Sequence, residues 1–204
     1  MGEGLRFLRD APLLRLLAVV TGTWNPLHQM VVIALVLHVQ ENLGLGARGY
    51  GLILAAGAVG GIAGGVAADR IVRAMGPGPA AQWMTLASAL AFAGMAVAPN
   101  GWALAAILAA FEFTGIIWNT VSVSYRQRAI PDALLGRVNS VYRLLAWGMM
   151  PVGLLFSGAL VAATDGPLPR ADAFVLPFPV AAIGAGLLTA LAWRRLGTGF
   201  REAG

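Results

Sequence analysis

The 204-residue chain is 58% apolar and only 11% charged, with a mean hydropathy of +0.76, whereas an ordinary soluble domain carries about a quarter charged residues. No soluble fold of this length could keep so much apolar surface from water, so the composition points to an integral membrane protein. The absence of cysteine excludes disulfides, thiolate metal sites and cysteine nucleophiles, and the net charge of +5, spread without a basic stripe of interleaved aromatics, argues against a nucleic-acid partner.

An apolar helix needs about 20 residues to cross the hydrocarbon core. Six segments meet this, at residues 13–39, 50–72, 80–98, 102–123, 140–163 and 174–193. The first carries Thr21, Asn25, His28 and Gln29 at i, i+4, i+7 and i+8, a spacing that puts them on one helix face. Pro26 interrupts that stripe and weakens the helix locally. His28 reads equally as a hydrogen-bonded packing residue or a functional one, and His38 is expected at the outer interface. The second segment repeats Gly57, Gly61 and Gly65, with Gly60, Gly64 and Ala68 as a parallel row, giving a smooth face for close helix packing. The third has few polar residues and ends at the turn signal Pro99-Asn100-Gly101.

The fourth segment places Glu112, Gly115, Asn119 and Ser122 on one face, bordered by Trp118 as Trp24 borders the first stripe. A carboxylate near mid-membrane costs on the order of 2.5–3.5 kcal/mol on insertion scales, so Glu112 is expected to line a cavity, pair with a cation or take up a proton. The bland alternative is a Glu112 bonded to a neighbouring helix without a transport role. A long polar connection is expected over residues 126–137. The fifth segment has small residues at Gly153, Ser157 and Gly158, and Pro151 predicts a kink. The sixth, like the third, is expected to face lipid.

All 14 cationic side chains are arginine. Twelve fall on one side of the six segments, and only Arg48 and Arg170 fall on the other, which puts both termini in the cytoplasm. The first apolar segment is too long for a signal peptide. Exclusive use of arginine with abundant Ala, Gly and Pro suggests a GC-rich bacterial genome, hence the bacterial cytoplasmic membrane. Segments one and four both carry polar stripes and are related by a shift of three helices, which suggests two three-helix inverted repeats. No Ser/His dyad, metal cluster or Asp-rich transferase pattern is present, and His28 and His38 are too far apart to pair as ligands, so no enzyme, metal or cofactor is expected.

Two stretches resemble the major facilitator superfamily, most closely its drug- and siderophore-exporting branch that includes the enterobactin exporter and macrolide efflux proteins. Gly65-Val66-Ala67-Ala68-Asp69-Arg70, with Arg73 following, is similar to the superfamily's loop motif, although Ile71 and Val72 stand at its later Gly and basic positions. Residues 126–132 (RQRAIPD), Gly136-Arg137-Val138-Asn139-Ser140, Arg143 and Pro151-Val152-Gly153 look like the connection between the tenth and eleventh spans of that branch. The resemblance implies that residues 1–204 form one six-helix bundle equivalent to the C-terminal half of a twelve-span transporter. It implies a substrate or proton cavity at Asn25, His28, Gln29, Glu112, Trp118 and Asn119. It implies a gating motif at Gly65, Asp69, Arg70, Arg73, Gly136 and Arg137, with Asp69 latched at the start of the fifth span near Asn139 and Ser140. The expected function is export of a small amphipathic compound by proton antiport. A cavity with Trp, Met and one acidic group suits a cationic or mixed substrate. The alternative is a non-transporting fragment or assembly partner of a split transporter. Expected partners are the lipid bilayer, a small-molecule substrate and a second six-helix half, either another copy or an upstream half.

Overall fold

A computed structural model describes residues 2–202. Short α1 (Gly2–Asp10) precedes α2 (Pro12–Leu37), whose opening proline sits where a missing N–H costs nothing. Helix α2 runs on into a π-helical turn, His38–Asn42, closed by Leu43 N–H donating to the His38 carbonyl at 3.0 Å. Left-handed Gly44 and Gly46 (φ 63° and 60°) turn the chain into α3 (Gly46–Met75), and left-handed Gly76 (φ 83°) turns it into α4 (Pro77–Ala96). Asn100 caps α5 (Gly101–Ala129), its side-chain oxygen accepting from Ala103 N–H at 2.9 Å. There follow α6 (Asp132–Trp147), α7 (Met150–Thr164), α8 (Arg170–Val175) and α9 (Pro177–Glu202).

Five runs are long and apolar enough to cross a membrane: Pro12–Asn42, Gly46–Met75, Gly101–Ala129, Asp132–Thr164 and Arg170–Glu202. They coincide with five of the six predicted segments. The remaining segment is α4, which has 20 residues but is diluted by Gln82, Trp83, Thr85 and Ser88 and falls outside that group.

Two predicted features differ in detail. The polar connection over residues 126–137 is almost wholly helical, because Arg, Gln and Ala are good helix formers whatever their polarity. Only Ile130 and Pro131 break it, Ile130 being held extended ahead of the proline (φ −101°, ψ 124°). At 29 residues, α5 is therefore about 44 Å long and projects beyond a core of about 30 Å. The second difference concerns α4 and α9, expected to face lipid. They also pack on each other, with Ala80, Ala81, Ala89, Ala181, Ala185 and Ala192 buried, while Leu90, Ile183, Leu187 and Leu191 keep exposed outer surfaces of the kind lipid would cover. The kink predicted at Pro151 appears as the break between α6 and α7 at Gly148–Met149.

Glycine governs the closest seams. A Cβ on Gly60 would collide with the backbone of Ala109, one on Gly64 would lie 2.5 Å from the Phe113 carbonyl oxygen, and one on Gly153 would strike the backbone of Pro26. Thus α3 meets α5, and α7 meets α2, main chain against main chain. Two buried apolar clusters fill the bundle. One centres on Leu14, Leu17, Val138 and Leu196, the other on Leu35, Phe92, Leu104 and Phe178. They divide α2 between its first and second halves.

Gly60→Leu is expected to cost at least the 1–3 kcal/mol typical of overpacking, lowering the melting temperature and monodisperse yield in detergent. Gly61→Ala should be tolerated, since its nearest neighbours lie at 3.8 and 3.9 Å. Equal behaviour of the two variants would refute the α3–α5 seam.

Candidate functional site

The polar residues of α2, α5 and α6 converge on one tyrosine. The Tyr142 hydroxyl lies 2.7 Å from Thr21 Oγ1 and 3.3 Å from Ser122 Oγ, and donates to the Leu17 carbonyl at 3.2 Å. Its ring lies beneath the Arg126 guanidinium, 4.0 Å from centroid to Cζ. Arg126 also donates through Nη1 to Asn139 Oδ1 at 3.3 Å and through Nε to the Ser122 carbonyl at 3.4 Å. One turn further along, Asn25 donates to the Ala146 carbonyl at 2.6 Å. The ties hold α2 and α6 together beside α5, and Gly22 assists by bringing α2 close to the Leu145 carbonyl.

Beside this network lies a cavity of about 430 Å³ between α2, α4, α5 and α6, within the usual size range for small-molecule sites. Trp24, Trp118, Tyr142 and Trp147 supply an aromatic lining; Asn25, Asn119, Ser122 and Asn139 supply uncharged polar groups. Its charged lining residues are Arg126 and Arg143, the latter stacked over Trp147 at 5.2 Å. Asn119, Arg143 and Trp147 are exposed, so one wall is open.

Of the predicted cavity residues, Asn25, Trp118 and Asn119 line this space. His28 lies deeper, its ring stacked on Trp24 (4.8 Å between centroids) and on Phe111 (5.5 Å). Gln29 is half-buried and outside the lining. Glu112 is half-buried against α3 instead: a Cβ on Gly57 would lie 3.4 Å from its Cγ, and one on Gly61 3.9 Å from its Cβ. Helical spacing puts Glu112 and Asn119 at nearly the same angle around the helix, but seven residues also separate them by about 10 Å along it. They share a face at different depths.

The predicted gating residues make separate contacts. Asp69 pairs with Arg73 at 3.9 Å within α3, both largely exposed, and Gly65 lies 3.9 Å from Ile116 by the same Cβ measure. Arg70 is exposed. On α6, Arg137 forms an exposed ion pair with Glu3 of α1, and the Gly136 carbonyl accepts from Ser140 Oγ at 2.8 Å. Asn139 and Ser140 offer no helix start for Asp69, because α6 begins at Asp132 and they lie two turns inside it, where backbone N–H groups are already bonded. The Asp69 latch is therefore not formed in this arrangement.

Tyr142 is absent from the residues that the sequence singles out, and Arg126 enters there through the orientation bias and the resembling 126–132 stretch, not as a cavity residue. The signal was available: Arg126 continues the Asn119–Ser122 stripe at i+7 and i+4. Among the described residues no three His, Asp or Glu side chains gather to hold a metal ion.

A family model described as transmembrane secretion effector matches residues 1–188. No curated protein and no solved structure matches the chain.

Tyr142→Phe keeps the ring beneath Arg126 and removes only the hydroxyl. The expected cost is about 0.5–1.5 kcal/mol, read as a lower melting temperature in detergent. Thr21→Val should give a smaller loss in the same direction, and an unchanged Tyr142→Phe protein would show that the hydroxyl contributes nothing to the seam.

Proposed function

The chain belongs to the transmembrane secretion effector family, a major facilitator type of membrane transporter, and we propose that it exports a small amphipathic compound by proton antiport. The observation that carries this reading is the cavity of about 430 Å³ with mixed aromatic and polar lining, set among helices long and apolar enough to span a bilayer. Such a space accepts a molecule with both an apolar body and polar groups.

In this reading α4 is a sixth crossing. Its 20 residues give about 30 Å of helix, enough for the hydrocarbon core, and it is clamped between α5 and α9. An even number of crossings is also what returns Arg6, Arg9 and Arg15 to the same side as Arg194, Arg195 and Arg201, and so puts both termini in the cytoplasm of a bacterial cell. The bundle then comprises two inverted three-helix repeats and corresponds to the C-terminal half of a twelve-span transporter. Its open wall at Asn119, Arg143 and Trp147 favours closure by a second six-helix half, either another copy or an upstream half. The same open wall supports a second reading, in which the chain alone is a non-transporting assembly partner. Asn25, Trp118 and Asn119 act as substrate contacts, with His28 and Gln29 supporting that wall from deeper positions. Glu112 carries the coupling proton at the seam where the smooth glycine face of α3 can shift against α5. The Asp69–Arg73 and Gly136–Arg137 stretches act at the cytoplasmic gate when the bundle changes state.

For the topology, Arg48→Cys should be labelled by impermeant thiol reagents in intact cells, and Gly2→Cys only after permeabilisation. Outside labelling of Gly2→Cys would overturn the orientation.

For coupling, Glu112→Gln in the reconstituted assembly should preserve folding and substrate exchange while abolishing export driven by a pH gradient. Gradient-driven export at the original rate would reduce Glu112 to a packing residue.

A further inference from the structure

The electrostatic balance of the cavity is one-sided. Its lining holds two guanidinium groups, Arg126 and Arg143, and no carboxylate. Among the described residues the ion pairs are Asp69–Arg73 and Glu3–Arg137, so neither cavity arginine is neutralised by the protein. The acids on elements around the cavity stand elsewhere: Glu112 lies against Gly57 and Gly61 on α3, and Asp132 is exposed at the start of α6. Arg126 is half-buried, held by Tyr142, Asn139 and the Ser122 carbonyl, none of which carries a formal negative charge. These contacts use two of its five N–H donors. A partly desolvated cation with unused donors is costly unless an anion meets it.

We infer that the cavity selects an anionic aromatic amphiphile, one whose oxyanion group meets Arg126 and Arg143 and whose ring system lies among Trp24, Trp118 and Trp147. The inference rests on the cavity being the exporter's substrate site, and it replaces the cationic or mixed substrate expected when Glu112 was placed in the lining. A planar guanidinium matches the two oxygens of a carboxylate or sulfonate in geometry as well as charge. The aromatic walls supply the apolar contact that a small inorganic anion would not use. With the arginine-rich end in the cytoplasm, the site loads from the side where the inside-negative potential already pushes an anion outward.

The test compares two probes that differ by one sulfonate, 8-anilinonaphthalene-1-sulfonate and N-phenyl-1-naphthylamine, together with the cationic dye rhodamine 6G. Binding to the full chain in nanodiscs of zwitterionic lipid is followed by probe fluorescence and tryptophan quenching. The sulfonate probe should bind at least tenfold more tightly than its neutral partner and more tightly than the cation. Arg143→Gln, at an exposed position, should cut that preference severalfold, and Arg126→Gln with Arg143→Gln should abolish it. Arg126→Lys should retain most of it, and Arg128→Gln, outside the lining, should leave it unchanged. Equal affinity for the two naphthyl probes, tighter binding of the cation, or a preference that survives in the double variant would overturn the inference. Anion-selective binding without transport by the assembled protein would instead refute the exporter reading alone, and transport of the cation without anion preference would refute this inference alone.

Discussion

Lipid tails are as apolar as leucine, so two helices in a bilayer gain little by turning apolar faces toward each other, and van der Waals contact must supply the association. That contact is strongest where a missing Cβ lets backbones touch. In this bundle it is met at Gly60 and Gly64 against Ala109 and Phe113, and at Gly153 against Pro26. The second pair has an added cause. Pro26 has no N–H, so α2 is locally weakened there, and α7 supports the same stretch through Ser157 Oγ, which donates to the Met30 carbonyl at 3.1 Å. A helix that breaks its own ladder at mid-membrane is tolerated because a neighbour approaches closely enough to hold it.

These seams decide where the open space lies. With α5 drawn against α3 and α2 drawn against α7, the region between α2, α5 and α6 is joined mainly by side chains, with Gly22 beside the Leu145 carbonyl as a close backbone approach between α2 and α6. Tyr142 spans it, reaching Thr21, Ser122 and the Leu17 carbonyl with one hydroxyl. A polar bridge of this kind leaves room that a glycine seam would not, and the cavity occupies that room beside the bridge. The polar atoms that hold the helices are therefore the same ones that give the space its character. Substituting them alters packing and recognition together.

The sequence made the helices legible because hydropathy and length are one-dimensional properties, and five of the six apolar segments correspond to helices long and apolar enough to span. Packing depends on three dimensions, and there the reading thinned. Helical spacing reports the angle of a side chain around its axis but not which neighbour stands there, so it grouped Glu112 with Asn119 and could not see that α3 covers one and the cavity the other. Polarity suggested a loop over residues 126–137, although only Pro131 has a steric reason to break a helix. That error carried over to Asp69. A helix start was assumed at Asn139 and Ser140, but α6 begins at Asp132. Tyr142 was hidden for a related reason: its importance comes from three partners on α2 and α5, up to 125 residues away in sequence.

The direction of charge movement joins the cavity to the proposed coupling. Moving one elementary charge through a membrane potential is worth about 2.3 kcal/mol per 100 mV. A cation exported against an inward proton cancels that contribution, leaving only the pH gradient to drive exchange. An anion leaving while a proton enters moves net charge in the same electrical sense on both legs, so the potential acts on each. A cavity that offers Arg126 and Arg143 without a carboxylate, with the proposed proton site at Glu112 outside its lining and against α3, would keep the two charges on different groups. Substrate and proton need not then compete for one carboxylate. Coupling would instead require that movement at the α3–α5 seam alter the cavity wall, and α5 is the element common to both: Glu112 and Asn119 lie on the same helix, seven residues apart.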